Sequence, residues 1–130
     1  MVKSDALFGI QQYDGGRMIV VESPLDVVRL TSLGIPGGVA TYGASISNEQ
    51  LKLIKEADEV IFALDNDDAG KASSKKMLEL TRTLGFEAWF FDYSQTDRKD
   101  VGGMSRSEVT YGLAHAKHCV YGLGALAWHS

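Results

Sequence analysis

The chain has 130 residues, a length that suits one domain, and its apolar fraction of 45% is ordinary for a globular protein. Its formal net charge of −4 argues against a domain that binds nucleic acid through overall positive charge. Its one cysteine, Cys119, excludes an internal disulfide and a multi-cysteine zinc ribbon. The sequence shows neither a signal peptide nor an apolar run long enough to span a bilayer, so we expect a cytoplasmic protein with no membrane partner.

Short apolar runs alternate with amphipathic segments along the chain, a pattern that predicts an α/β domain. The first strand is expected at 18–22, because a continuous β-branched run is typical of a strand that is buried on both faces. Pro24 then begins a helix over 25–33, which ends before Gly34. A short strand near 38–41 follows.

The same alternation continues in the second half of the chain. Ser47 and Gln50 have the spacing of a capping box and begin the next helix. A strand at 59–64 runs into an acidic turn, and a long helix is expected at 69–84. Four residues recur at helical spacing and predict its buried stripe: Ala72, Met77, Leu80 and Leu84. The remaining predictions are a strand at 87–91, a helix at 105–117 and a tail of uncertain structure at 118–130. Together they predict a central, mainly parallel sheet of about four strands flanked by helices.

Two of the predicted strands end in carboxylates. Glu22 closes the first, and Asp65 closes the strand at 59–64 and leads into Asp67. Because the carboxyl ends of neighbouring parallel strands meet at one edge of a sheet, we expect these acids to lie close together. Clustered carboxylates repel one another unless a cation neutralises them, and hard oxygen ligands favour Mg²⁺ or Mn²⁺. Such ions stabilise the oxygens that attack and leave in phosphoryl transfer. A bare D-x-D is equally common as a turn, and Asp68 is a candidate N-cap of the following helix.

Five short segments, in order along the chain, resemble the motifs of one family. Residues 20–26 resemble the first motif of Toprim domains, a hydrophobic strand that ends in Glu with an Asp four positions later. Residues 63–72 resemble the second motif, a D-x-D followed by an Ala-Gly pair and a basic residue. Three further segments are similar to those of bacterial DnaG-type and phage primases: 7–10, 34–44 with its G-I and A-T-x-G elements, and 99–104, which matches K-D-P-G-[DE]-M in part.

The resemblance covers about residues 6 to 117 and implies one Rossmann-like Toprim domain over 1–117, with its core at about 17–104. It implies that Glu22, Asp65 and Asp67 are the catalytic residues and the ligands of Mg²⁺ or Mn²⁺. The chain departs from the family pattern at three positions: Ser23 replaces Gly, Val101 replaces Pro, and Gly103 replaces Asp or Glu. The change at Gly103 removes an acidic side chain.

Two more acids are candidate members of the same site by this resemblance, Asp26 and Asp100. Asp26 equally suits the first turn of a helix, where the helix dipole favours a negative charge.

The resemblance further implies a function in DNA replication, namely Mg²⁺-dependent nucleotidyl transfer by the catalytic domain of a DnaG-like primase, for which a phage origin would suit the compact chain. Its partners would be a single-stranded DNA template and nucleotides, together with a separate zinc-binding and polymerase chain or a replicative helicase. Two alternatives stay open. One is a stand-alone Toprim nuclease that cleaves DNA or RNA, and the other is a non-catalytic Toprim scaffold that binds nucleic acid.

Basic and metal-ligating side chains elsewhere give weaker signals. One set falls on a single side of the long helix and suits a phosphate backbone, although an ordinary solvated face is the favoured alternative: Lys71, Lys75 and Arg82. A second set has spacing compatible with zinc but lacks a fourth ligand: His115, His118 and Cys119.

Overall fold

The computed structural model describes residues 7–43 and 45–118. In this part of the chain, five strands form one sheet, and four α-helices flank it. In chain order the elements are β1 (Arg17–Val21), α1 (Pro24–Ser32), β2 (Gly38–Ala40), α2 (Asn48–Lys55), β3 (Glu59–Phe62), α3 (Asp68–Leu84), β4 (Trp89–Phe90), α4 (Arg106–Ala114) and β5 (Lys117–His118). The predicted α/β class with a mainly parallel sheet is confirmed. None of the described helices is long and apolar enough to cross a membrane.

The strands lie in the order β2-β1-β3-β4-β5, so the first and third strands of the sequence are central neighbours. The pairs β1–β2, β1–β3 and β3–β4 are parallel, whereas β4 and β5 are antiparallel. Parallel neighbours joined through helices bring the carboxyl ends of β1 and β3 to the same edge. This edge carries the predicted acids.

The fifth strand corrects a prediction, because residues 105–117 were expected to be one helix. The helix α4 ends at Ala114, and Lys117 pairs with Phe90 of β4 instead. The Lys117 Nζ lies 2.9 Å from Oδ2 of the buried Asp92. This ion pair, together with the ladder to β4, holds the segment as a strand, since such tertiary contacts override local helix propensity.

The core lies on both faces of the sheet, and β1 contributes to each of them. Met18 and Val20 belong to one buried cluster, while Ile19 and Val21 belong to the other. All four side chains are fully buried. The β-branched run therefore predicted the doubly covered central strand correctly.

The buried stripe of α3 differs from the predicted one. Gly70, Met77, Leu78 and Thr81 are its buried residues, whereas Ala72 is exposed. Of the other predicted members, Met77 is buried and the half-buried Leu80 packs against the core, whereas Leu84 is 43% exposed. Gly70 packs directly against the carbonyl of Asp65, five residues earlier, so the face of α3 that carries Gly70 turns toward the D-x-D segment.

A close approach of Gly112 in α4 to Phe91 gives a first testable prediction. A Cβ atom built at Gly112 would lie 2.0 Å from the Phe91 ring, and both residues are buried. The substitution Gly112→Ala is therefore expected to lower the free energy of unfolding by about 1–3 kcal/mol, the usual cost of overpacking a core. Urea denaturation measures this change. The exposed neighbour Thr110, replaced by alanine, is the control, and an unchanged midpoint for Gly112→Ala would contradict the packing.

Candidate active site

Glu22 and Asp65 meet at the carboxyl edge of the sheet. Glu22 directly follows β1, and Asp65 follows β3 after two buried residues. The first of these, Ala63, continues the parallel ladder, because its N–H donates to the Val20 carbonyl. The backbone N–H of Asp65 donates to Glu22 Oε2 over 2.8 Å. This hydrogen bond fixes the Glu22 carboxylate beside the Asp65 backbone.

Asp65 is the most perturbed carboxyl group of the site. Its Oδ1 is buried and has no hydrogen-bond partner within the described residues. Burial is the main cause that raises the pKa of Asp65 to about 7, and the charges of Glu22, Asp26, Asp100 and Asp67 add to the shift in that order. A buried oxygen without a partner, surrounded by like charges, is a position that a cation would stabilise.

The two carboxylates nearest to α1 are perturbed in the same direction. Burial raises the pKa of Glu22, and the charges of Asp67 and Asp26 contribute further, against the hydrogen bond from Asp65. Burial also raises the pKa of Asp26, whose Oδ1 accepts a hydrogen bond of 2.9 Å from the Gly102 N–H. Asp26 closes a capping box with Ser23 as well, so it serves the start of α1 as predicted for a first-turn residue.

The two carboxylate oxygens of Asp67 have different neighbours. It is the N-cap of α3, and its Oδ1 accepts from the Gly70 N–H over 2.8 Å. The expectation that Asp68 is the cap was wrong, because Asp68 is the first residue of the helix and its side chain is exposed. The second oxygen of Asp67 lies 3.6 Å from Lys99 Nζ.

Asp100 lies on a loop that packs against α1. It caps the short 3-10 helix Val101–Gly103, since its Oδ1 accepts from the Gly103 N–H over 3.1 Å. The charge of Asp100 raises the pKa of both Asp26 and Asp65. The charge of Asp100 therefore acts on the same carboxyl groups as the charges of the strand-end acids. Gly103, three residues later, stands where the family has an acidic residue.

Two residues of the site were not predicted from the sequence to be site residues. The Tyr93 hydroxyl donates over 2.5 Å to the carbonyl of Leu64, the residue before Asp65, and burial raises the pKa of Tyr93 well above the usual range. Lys99 is the cation beside Asp67. The sequence assigned a site role only to Asp100 of the pair at 99–100, and no motif includes Tyr93.

The structure places the other candidate residues on α3, after α4 and in β5. Lys75 and Arg82 are exposed on α3 and Lys71 is half-buried, so their contact with nucleic acid stays a prediction. His115 stacks on Tyr111, whereas His118 lies 3.7 Å from Glu87, so the two histidines face different partners. Cys119 lies outside the described residues.

The donor set fits a magnesium-type ion. Among the described residues, no three His, Cys, Asp or Glu side chains converge as a ready metal site. Mg²⁺ is commonly held by only one or two carboxylates and keeps several of its waters. The partnerless Asp65 oxygen and the adjacent Glu22 carboxylate match that pattern.

The shifted Asp65 carboxyl predicts how the stability of the metal-free chain depends on pH. Its pKa rises from an ordinary 3.8 to about 7 on folding, so between these values the folded chain holds a proton that the unfolded chain has lost. Stability is therefore expected to fall as pH rises through this window. Urea denaturation with a chelator at pH 5 and pH 7.5 measures the loss. The variant Asp65→Asn should lose less, and an equal loss in both proteins would contradict the assignment.

Residues 16–91 match the family model of the Toprim domain. Since this match covers more than half of the chain, the chain belongs to the Toprim family.

Its relatives include bacterial DNA primases. The chain is 39% identical over 67 residues to the DNA primase of Neisseria meningitidis serogroup A, an alignment that covers 51% of the chain and 11% of the primase. It is 29% identical over 127 residues to the DNA primase of Mycoplasma pneumoniae, covering 93% of the chain and 20% of the primase. The chain thus spans between about a tenth and a fifth of the length of these relatives.

Solved primase structures share the fold. The chain superposes on a DnaG primase catalytic domain bound to single-stranded DNA with a TM-score of 0.80 and 25% identity, covering 96% of the chain and 43% of that domain. The primase of Aquifex aeolicus, solved with its zinc-binding and RNA polymerase domains, gives a TM-score of 0.74 at 24% identity, covering 91% of the chain and 31% of that structure. This second likeness shows the fold alone.

Proposed function

We propose that this chain is the catalytic Toprim domain of a DnaG-type DNA primase and that it transfers nucleotidyl groups with Mg²⁺ or Mn²⁺ held by Glu22, Asp65 and Asp67. The observation that carries the proposal is the buried Asp65 Oδ1, which has no hydrogen-bond partner among residues 7–43 and 45–118 and experiences the charges of four other acids. Identity to bacterial primases, over 93% of the chain in the case of Mycoplasma pneumoniae, supports the primase assignment.

The chemistry requires charge neutralisation at a phosphate. In nucleotidyl transfer, a 3′-hydroxyl oxygen bonds to the α-phosphorus of a nucleoside triphosphate, pyrophosphate leaves and the hydroxyl proton passes to a base or to water. Bound Mg²⁺ would polarise a phosphoryl oxygen and offset the developing charge.

The chain's own residues hold the carboxylates in fixed positions before any substrate arrives. The Asp65 N–H orients Glu22, and the Gly70 N–H orients Asp67. Catalytic groups that are oriented in advance cost no reorganisation during the reaction, so this rigidity favours catalysis.

Other parts of a primase would bind the template. The chain corresponds to 43% of a solved primase catalytic domain. We therefore propose that single-stranded DNA and nucleotides reach this site together with a zinc-binding and polymerase segment or a replicative helicase. The basic side of α3 that is formed by Lys71, Lys75 and Arg82 would contribute phosphate contacts.

A primer-synthesis assay tests the proposal. The chain is incubated with single-stranded DNA, labelled ribonucleotides and Mg²⁺ or Mn²⁺, with and without the remaining domains of a DnaG-type primase, and the products are resolved on a sequencing gel. The test variant is Asp67→Asn, which retains the helix cap because Asn and Asp cap helices equally well. The control is Asp68→Asn, which removes the same charge from the exposed neighbour.

We expect short new oligonucleotides from the wild type and from Asp68→Asn. Synthesis by Asp67→Asn should be lower by on the order of 100-fold, a typical loss for one oriented electrostatic contact to a transition state. Shortened template in place of new product would assign a nuclease. Absence of both products, combined with absence of Mn²⁺ binding, would assign a non-catalytic scaffold.

A further inference from the structure

Lys99 is a cation at the edge of the candidate site that Glu22, Asp65 and Asp67 form. Its Nζ lies 3.6 Å from Asp67 Oδ2, and its side chain is 65% exposed. Its charge also reaches Glu22, whose pKa it lowers against the larger effects of burial and of the neighbouring acids. Lys99 therefore faces two of the three proposed metal ligands.

The backbone holds Lys99 at this position. Its carbonyl accepts a hydrogen bond of 2.6 Å from the backbone N–H of Asn66, the middle residue of the D-x-D segment. The Asn66 side chain adds a longer contact of 3.5 Å to the Arg98 carbonyl. These hydrogen bonds join the two loops. They hold the backbone of Lys99 beside the D-x-D segment and leave its side chain free to change rotamer.

The ion pair between Lys99 and Asp67 is weak. A separation of 3.6 Å exceeds the length of a direct hydrogen bond, and exposed ion pairs contribute little stability. A divalent cation bound to the acids would repel the ammonium group at this range. The flexible stem of lysine then allows the charge to turn toward an anion, and lysine is a common point-charge ligand of phosphate.

We propose that Lys99 neutralises Asp67 in the metal-free chain and, once a divalent cation binds, turns to a phosphate group of the substrate. This inference rests on the proposed nucleotidyl-transfer function. The phosphate belongs either to an incoming nucleoside triphosphate or to a nucleic-acid strand, and the two are distinguished by experiment. Lys99 is then a residue that binds substrate and also limits cation affinity.

Two binding measurements on the full chain test the inference. Mn²⁺ affinity is measured by electron paramagnetic resonance. Affinity for a non-hydrolysable ATP analogue, and separately for a labelled oligothymidylate, is measured with Mg²⁺ present. The variants are Lys99→Met, which removes the charge, and Lys99→Arg, which keeps it. Arg98→Met is the control, because the neighbouring Arg98 charge acts on Glu108 instead.

We expect Lys99→Met to bind Mn²⁺ several-fold more tightly than the wild type and to bind one phosphate ligand about tenfold more weakly, the lower end of the loss expected for a hydrogen bond to a charged group. The ligand that weakens identifies the phosphate source. Lys99→Arg and Arg98→Met should match the wild type. If the wild type binds Mn²⁺ but Lys99→Met lacks either opposite change, this inference alone is overturned. If the wild type binds no Mn²⁺, the proposed function fails as well.

Discussion

Replacement of Asp65 by asparagine is expected to stabilise the metal-free chain while it removes the response to metal. The wild-type carboxyl has its pKa raised to about 7, chiefly by burial and then by the charge of Glu22, so at pH 7.5 its ionisation opposes folding. Asparagine has no charge, and its amide N–H groups can donate to the surrounding carboxylates. Asp65 is only half-buried and solvent screens part of the repulsion, so we expect a gain of about 1–2 kcal/mol.

Mg²⁺ should stabilise the wild type but leave the stability of this variant unchanged. Saturating Mg²⁺ stabilises a protein that binds it in the folded state, by about 2.7 kcal/mol at 100 times the dissociation constant. Thermal and urea unfolding, each with a chelator and with Mg²⁺, should show this gain in the wild type and in the control Asp68→Asn but not in Asp65→Asn. A destabilised Asp65→Asn protein that still gains stability from Mg²⁺ would show that Asp65 is an ordinary structural acid.

The substitution Gly70→Ala is expected to disrupt the packing of α3 against the D-x-D segment. A Cβ atom at Gly70 would lie 1.9 Å from the Asp65 carbonyl oxygen and 2.6 Å from its carbonyl carbon. Backbone atoms cannot move aside as a flexible side chain can, so α3 and the D-x-D segment must separate. We expect a loss of about 3 kcal/mol or more, at the upper end of the cost of overpacking.

The same change should weaken Mg²⁺ binding, because the displaced segment carries Asp65 and Asp67. Urea denaturation and a metal titration measure both effects. The control Ala72→Gly, on the exposed side of α3, should cost only the helix propensity of about 1 kcal/mol and leave the metal response intact. A Gly70→Ala protein with wild-type stability would contradict the close packing of α3 on the D-x-D segment.

The sequence predicted the features of the fold that depend on local pattern. The apolar run that forms β1 and the placement of Glu22 and Asp65 at strand ends follow from strand burial and from parallel topology. The capping box of Ser47 and Gln50 is present as expected, because it depends on a three-residue spacing.

Some features that the sequence did not predict depend on contacts between distant residues. β5 pairs with β4, and Lys117 contacts Asp92, 25 residues earlier. The rotation of α3 goes with a nearer contact, that of Gly70 with the Asp65 carbonyl. The place of Lys99 beside Asp67 depends on the link between the two loops, which no local pattern records. Such contacts decide details of the site even where the elements are predicted correctly.

Crystals grown with Mn²⁺ and measured at a wavelength where manganese scatters anomalously would show whether Asp65 holds a divalent cation. We expect an anomalous peak about 2 Å from Asp65 Oδ1, close to the distance at which hard divalent cations bind carboxylates. The Glu22 carboxylate should be the adjacent ligand, and the peak should be absent from Asp65→Asn crystals. A saturated crystal without density at Asp65, or with density at another group of residues, would contradict this expectation.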